Sequence, residues 1–237
     1  MRIILLILLF TFFGCNPKTQ SAENPTYLSQ TRDLTRQGKY EEALKRFLWF
    51  DRQVYDSASE MNGVRRSFAL SYWMELADRY PPALDSMLEI RNSKTTKILS
   101  NGGTCALFAD VVAINRTLKE NSKSISLFET LLTQSPVQAK RCHVYIISDL
   151  LNSKRYDLMK GVVDPIAEFK KDVKFHNQSL AELGEYEEEV NKLRKKTFSM
   201  KAKQLIDYCL AIEDQSSADY IRSEAYLISK DPQFKDP

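Results

Sequence analysis

Glycine and proline are scarce, at 7 and 8 of 237 residues. A fold of many short strands needs turn residues at a higher rate, so the scarcity argues against an all-β architecture and for helices. Histidine occurs twice, at His143 and His176, and neither has another soft ligand at metal spacing. The four cysteines, Cys15, Cys105, Cys142 and Cys209, form no C-x-x-C pair. That pattern excludes the usual structural zinc motifs, and no metal or cofactor is expected. Charge of one sign is also lacking: 34 Lys and Arg stand against 31 Asp and Glu, a net +3. No strong global field draws nucleic acid, which is not expected as a partner. What is present, 43% hydrophobic and 27% charged residues, suits a chain that folds around a core.

No apolar run approaches the roughly 20 residues of a bilayer-spanning helix. The longest, Ile3 to Phe13, has 11 residues, is broken only by Thr11 and follows Met1-Arg2. That length and flank fit the apolar region of an export signal. Gly14-Cys15 comes next, then the polar stretch "NPKTQSAENP". The junction resembles a bacterial lipoprotein signal, with Gly14 and Cys15 at the family's small-residue and cysteine positions. The resemblance implies cleavage before Cys15, a thioether-linked diacylglycerol on its sulfur and an acylated amino group. Two or three acyl chains give stable anchoring where one does not. Asn16 in place of Asp is compatible, by resemblance to enterobacterial sorting, with delivery to the outer membrane. The alternative is a plain secretory signal in which Cys15 is incidental. The expected organisation is a signal over 1–14, a linker over 15–23, a helical domain over 24–232 and a tail over 233–237.

From about residue 24 the periodicity is helical. Leu28, Thr31 and Leu34 form one stripe; after Gly38, Ala43, Leu44, Phe47 and Phe50 form another. Gly38 reads as the C-terminal cap between two antiparallel helices. The stretch "QGKYEEALKRF" resembles the middle of a tetratricopeptide repeat, a 34-residue helix–turn–helix unit. Gly38 and Tyr40 fill its turn positions, Ala43 its small position and Phe47 the aromatic behind it. The register continues with Ser124, Phe128 and Pro136, and then with Tyr156, Met159 and Val163. Trp73, Leu76, Ala77 and Tyr80 match the first-helix spacing, and Ala218, Ala225 and Pro232 match a last second helix. The resemblance implies an all-α fold, a right-handed α-solenoid of degenerate tetratricopeptide-like hairpins with about ten helices. Breaks are expected near Gly38, Pro81-Pro82, Asn101 to Gly103, Asn121, Pro136, Ser153 and Gly184. Pro165 is expected to interrupt a second helix, and the longest helix to run from about Tyr186 to Ile212. The alternative is a helical bundle without repeat order.

Catalytic motifs are not found. There is no phosphate loop, since "NGGTC" lacks the spacing and the lysine; Thr104 reads there as a helix N-cap. Neither H-E-x-x-H nor G-x-S-x-G occurs. Cys142 and His143 are adjacent, about 100° apart on a helix, and do not face each other. The acidic run at 185–190 reads as a helix start. Asn115 to Thr117 and Asn177 to Ser179 fit the glycosylation pattern, and Asn115 falls mid-helix. Cys105 and Cys142 occupy nearly the same place in successive first helices. An exported chain permits a disulfide there. Reduced, buried cysteines are the expectation, because neighbouring helix axes lie roughly 8–10 Å apart.

The leading functional expectation is a non-catalytic binding protein, because stacked helix hairpins offer an extended surface to a partner protein. The register aims Arg32, Arg36, Arg116, Arg141 and Asn152 at that surface as candidate groove-lining residues. In one branch of the family, Lys and Asn at fixed positions clamp a peptide carboxylate. Those positions here hold Leu28 and Arg32, Ala109 and Ala113, Val144 and Ser148, so no such function carries over. With a lipid anchor the chain is similar in layout to assembly lipoproteins of the bacterial outer membrane. The alternatives are an envelope enzyme or its helical accessory subunit, and a structural lipoprotein that binds cell wall or glycans.

Overall fold

The structure is a computed structural model that describes residues 26–56, 61–183 and 188–235. The expected signal, Cys15, the linker and the break at Gly184 lie outside the described residues. Among the described residues every regular element is helical and there is no strand. The chain divides into two compact units, one ending at Leu84 and the other beginning at Asp85.

The first unit contains α1 (Tyr27–Arg36), α2 (Tyr40–Asp56), α3 (Asn62–Val64), a π-helical turn (Arg65–Ala69) and α4 (Leu70–Ala77). Most of the two stripes read in the sequence becomes its core, while Leu34 and Leu44 are only half-buried. Leu28, Thr31 and Thr35 of α1 are buried, as are Ala43, Phe47, Phe50 and Val54 of α2. Each large apolar side chain buried this way contributes about 1.5–3 kcal/mol. Aromatic pairs set the packing: Tyr27 lies 5.0 Å from Trp49 and 5.9 Å from Phe50, and Phe47 lies 5.6 Å from Trp73. Trp49, off the apolar stripe, is half-buried against Tyr27 of α1. Trp73 Nε1 donates to the carbonyl of Ala83 at 2.9 Å, satisfying a buried indole. Arg65, 3% exposed, ion-pairs with Asp51 at 2.8 Å.

The helix α5 (Pro81–Lys97) carries the division between units, and a second π-helical turn (Ile98–Gly102) follows it. The second unit continues with α6 (Cys105–Thr117), α7 (Asn121–Gln134), α8 (Pro136–Cys142), a 3-10 turn (His143–Tyr145) and α9 (Ile147–Asn152). It then has α10 (Tyr156–Met159), α11 (Pro165–Leu183), α12 (Glu188–Ala211), α13 (Gln215–Ser229) and a 3-10 turn (Pro232–Phe234). α6 is buried on all sides from Leu107 to Asn115, the mark of a central helix. Two of its polar side chains are matched: Asp110 pairs with Lys94 at 2.8 Å, and Asn115 donates to Ser124 at 3.0 Å. The longest helix is α12, with 24 residues, close to its expected span. From Phe198 onward it buries Phe198, Ala202, Leu205 and Cys209, while α13 contributes Ala218, Ile221 and Ala225.

The segments outnumber the ten helices expected, because stretches that read as one helix are interrupted. A π turn splits α3 from α4, and a 3-10 turn splits α8 from α9. Pro165 does not break a helix. α10 has already stopped at Met159, and Pro165 opens α11, where its missing N–H costs nothing.

Four of the helix–helix turns are the same object. Gly38, Lys119, Lys154 and Glu213 all have positive φ, between 54° and 79°. In each turn the next residue donates its N–H five residues back: Lys39 to Leu34, Glu120 to Asn115, Arg155 to Leu150 and Asp214 to Cys209, at 2.7–3.0 Å. This is the Schellman closure of a helix C-terminus. Two residues after the positive φ, the next helix begins, at Tyr40, Asn121, Tyr156 and Gln215. Five residues after it stand Ala43, Ser124, Met159 and Ala218, each 0% exposed.

Candidate interaction surface

The five residues expected on a groove fall in both units and differ in what holds them. On α1, Arg32 donates from Nε to the Glu75 carboxylate at 2.6 Å and also from Nη2, and its guanidinium lies 4.5 Å from the Tyr72 ring centroid. Its charge is therefore matched within the unit. Arg36, one turn on, makes an exposed pair with Asp33 at 3.2 Å, which screening leaves weak.

In the second unit Arg116, at the end of α6, reaches across to α9. Its Nε and Nη2 fork onto Asp149 at 3.0 and 2.8 Å, and Nη2 also donates to the Tyr145 carbonyl at 2.8 Å. Asp149 is 4% exposed and accepts a further bond from Asn121 at 2.9 Å. A buried carboxylate with three donors is a structural clasp between α6, α7 and α9. Sequence reasoning missed Asp149, since its partners lie 28 and 33 residues away and share no local pattern. Asn152 accepts from Gln204 at 2.7 Å, which ties α9 to α12.

Arg141 is exposed near the end of α8 and borders a cavity of about 760 Å³. Two helix starts build this cavity. Thr104 caps α6, its hydroxyl accepting from the Leu107 N–H at 3.3 Å, as its position before the apolar run predicts. Pro136 opens α8, and Gln138 donates back to the Gly103 carbonyl at 2.8 Å. Only glycine fits at 103, because a Cβ there would lie 2.4 Å from the Ile98 Cα. Beside the cavity, Cys105 and Cys142 form a disulfide with a Cα separation of 5.0 Å. This corrects the expectation of two reduced cysteines. Axis spacing is not Cα spacing: two facing Cα atoms, each about 2.3 Å off its axis, approach to roughly 4–5 Å.

The cavity mixes the apolar Val137, 76% exposed, with the polar side chains of Thr104, Ser135 and Gln138. Arg141 adds a cation at the lip. Such a lining can bind polar and acidic groups of a chain laid across it. The neighbouring Cys142 and His143 are each engaged elsewhere. Cys142 is in the disulfide, while His143 contacts the Lys140 carbonyl at 2.7 Å and Glu168 at 3.2 Å. Asn115, in the first glycosylation pattern, is 1% exposed. Burial and, to a lesser degree, Asp214 push the Cys209 thiol up to about 12, so it remains protonated.

Among the described residues no group of three or more His, Cys, Asp or Glu is placed to hold a metal ion. No described helix is long and apolar enough to cross a membrane. No family model matches the chain, and neither a curated protein nor a solved structure matches it.

Proposed function

We propose that the chain is a lipid-anchored, non-catalytic scaffold of the bacterial cell envelope, held at the outer membrane through Cys15. On this reading the helices form a right-handed solenoid of degenerate tetratricopeptide-like hairpins that binds a partner protein on a surface near Arg141. The observation that carries it is the common register of four hairpins. A left-handed turn residue, a new helix two residues on and a fully buried side chain five residues on recur at Gly38, Lys119, Lys154 and Glu213. A repeated supersecondary unit of this kind buries its core between neighbours and leaves one face for binding. The disulfide adds support for an oxidising compartment, as an exported chain would meet.

A photo-crosslinking residue at Val137, beside Arg141, tests the surface in intact cells. The expected result is a discrete adduct in the envelope fraction that Arg141→Glu abolishes. A smear of adducts indifferent to Arg141 would sink the reading. Labelling with a palmitate analogue tests the anchor, and equal incorporation into wild type and Cys15→Ala would remove it.

A further inference from the structure

The α11–α12 hairpin forms a second, half-open cavity, of about 240 Å³, away from the Arg141 surface. Phe175 and His176 of α11 and Leu193, Arg194 and Phe198 of α12 line it. Its floor is buried: Phe198 is 4% exposed and His176, 6% exposed, packs against it with ring centroids 4.8 Å apart and planes tilted by 36°. Its rim is not, because Phe175 and Leu193 are 69% and 65% exposed. The cation is the unusual component. Arg194 gives Nη1 to Asn191 at 3.1 Å, but its Nε and Nη2 are withdrawn from solvent and find no acceptor among the described residues. Donors removed from water and left unmatched are costly, and a charged fork more so. Asp172, the carboxylate on the cavity wall, is held by Lys201 at 2.7 Å.

We propose that this cleft docks a partner polypeptide presenting an acidic side chain beside an apolar one. The carboxylate takes the two unmatched Arg194 donors once the side chain turns them out from under the atoms that cover them, and its neighbour lies on Phe175, Leu193 and Phe198. The planar guanidinium fork selects a carboxylate, whose two oxygens match it. The scaffold reading supplies a polypeptide as occupant, and the cavity's size suits part of one rather than a whole large ligand. The cavity holds one or two side chains, while the apolar rim continues outward along a longer ligand. Arginine among aromatic groups is also the make-up of interface hot spots. The inference rests on the scaffold reading only in taking a polypeptide as occupant.

The test uses the purified full chain and a fluorescein-labelled, capped peptide with one glutamate between two leucines, followed by anisotropy. Binding is expected to saturate and to weaken about tenfold when glutamine replaces the glutamate. Arg194→Gln is expected to weaken the glutamate peptide by a similar factor and to bind both peptides alike. Phe175→Ala and Leu193→Ala remove exposed side chains without touching the core, and each should weaken binding several-fold. The His176 Cε1–H resonance should move on titration, which places the peptide in the cleft. Equal affinity for both peptides, indifference to the Phe175 and Leu193 variants, or absence of saturable binding overturns the proposal. Displacement of the peptide by decanoate, with a larger His176 response, also overturns it by making the cleft an amphiphile site. Peptide binding is read without lipid on Cys15 and without crosslinks at Val137, so this proposal and the scaffold reading fail separately.

Discussion

Reducing the Cys105–Cys142 bond should destabilise the second unit by roughly 4 kcal/mol. The bond joins residues 37 apart in sequence and ties the start of α6 to the end of α8. In the unfolded chain it removes the freedom of a loop that contains all of α6 and α7. Loop-closure entropy for that length gives about 4 kcal/mol near room temperature. The clean comparison is the same chain oxidised and reduced, since Cys142 is 0% exposed and any substitution there also changes packing. Urea unfolding followed by circular dichroism, with and without dithiothreitol, reads the difference. With a slope of about 2 kcal/mol per molar urea, the midpoint of that unit's transition should fall by roughly 2 M. A thiol count under denaturing conditions verifies each redox state. If the midpoints coincide while the thiol counts differ, the loop-entropy reasoning is refuted.

Three further outcomes follow from other contacts. At the repeated turns the sign of a glycine exchange should invert. Gly38→Ala places a Cβ at φ +79° with nothing within 4 Å, so it should cost about 1 kcal/mol from the backbone alone; Lys154→Gly should gain up to about 1 kcal/mol by relieving φ +54°. Thermal melts of each variant check this. Arg116→Ala should cost more than Asp149→Ala, about 2 against about 1 kcal/mol, because it strands the 4% exposed carboxylate whereas Arg116, 42% exposed, can rehydrate. Chemical denaturation of both variants gives the order. Burial pushes Tyr208 and Cys209 each up to about 12, from 10.0 and 9.0. The folded chain then keeps protons that the unfolded chain releases. That stability is present below about pH 9 and is lost as pH rises toward about 12. Burial, then Arg194 and Lys195, lowers His176 from 6.5, so its contribution is present above that value and lost as pH falls. Urea midpoints across pH, for wild type and for the pair Tyr208→Phe with Cys209→Ala, check the alkaline limb.

The sequence by itself determined the helices and many of their ends. Apolar residues at helical spacing have one way to bury together, so Ala43, Phe47 and Phe50 had to face inward. Gly38, Pro136 and Thr104 act on the backbone within a residue or two, and local chemistry of that kind is legible in one dimension. The positive φ at Lys119, Lys154 and Glu213 was not, because a lysine or glutamate carries no sign of a left-handed conformation. It adopts one when the next helix must start at once and the side chain five residues on must be buried. The disulfide, the Asp149 clasp and the Arg194 cleft also lay beyond the sequence. Each joins residues from different helices, and whether two such groups meet depends on axis spacing and on which faces converge. Only the tertiary structure decided that Arg32 and Arg116 close ion pairs within the chain, while two Arg194 donors find no acceptor among the described residues.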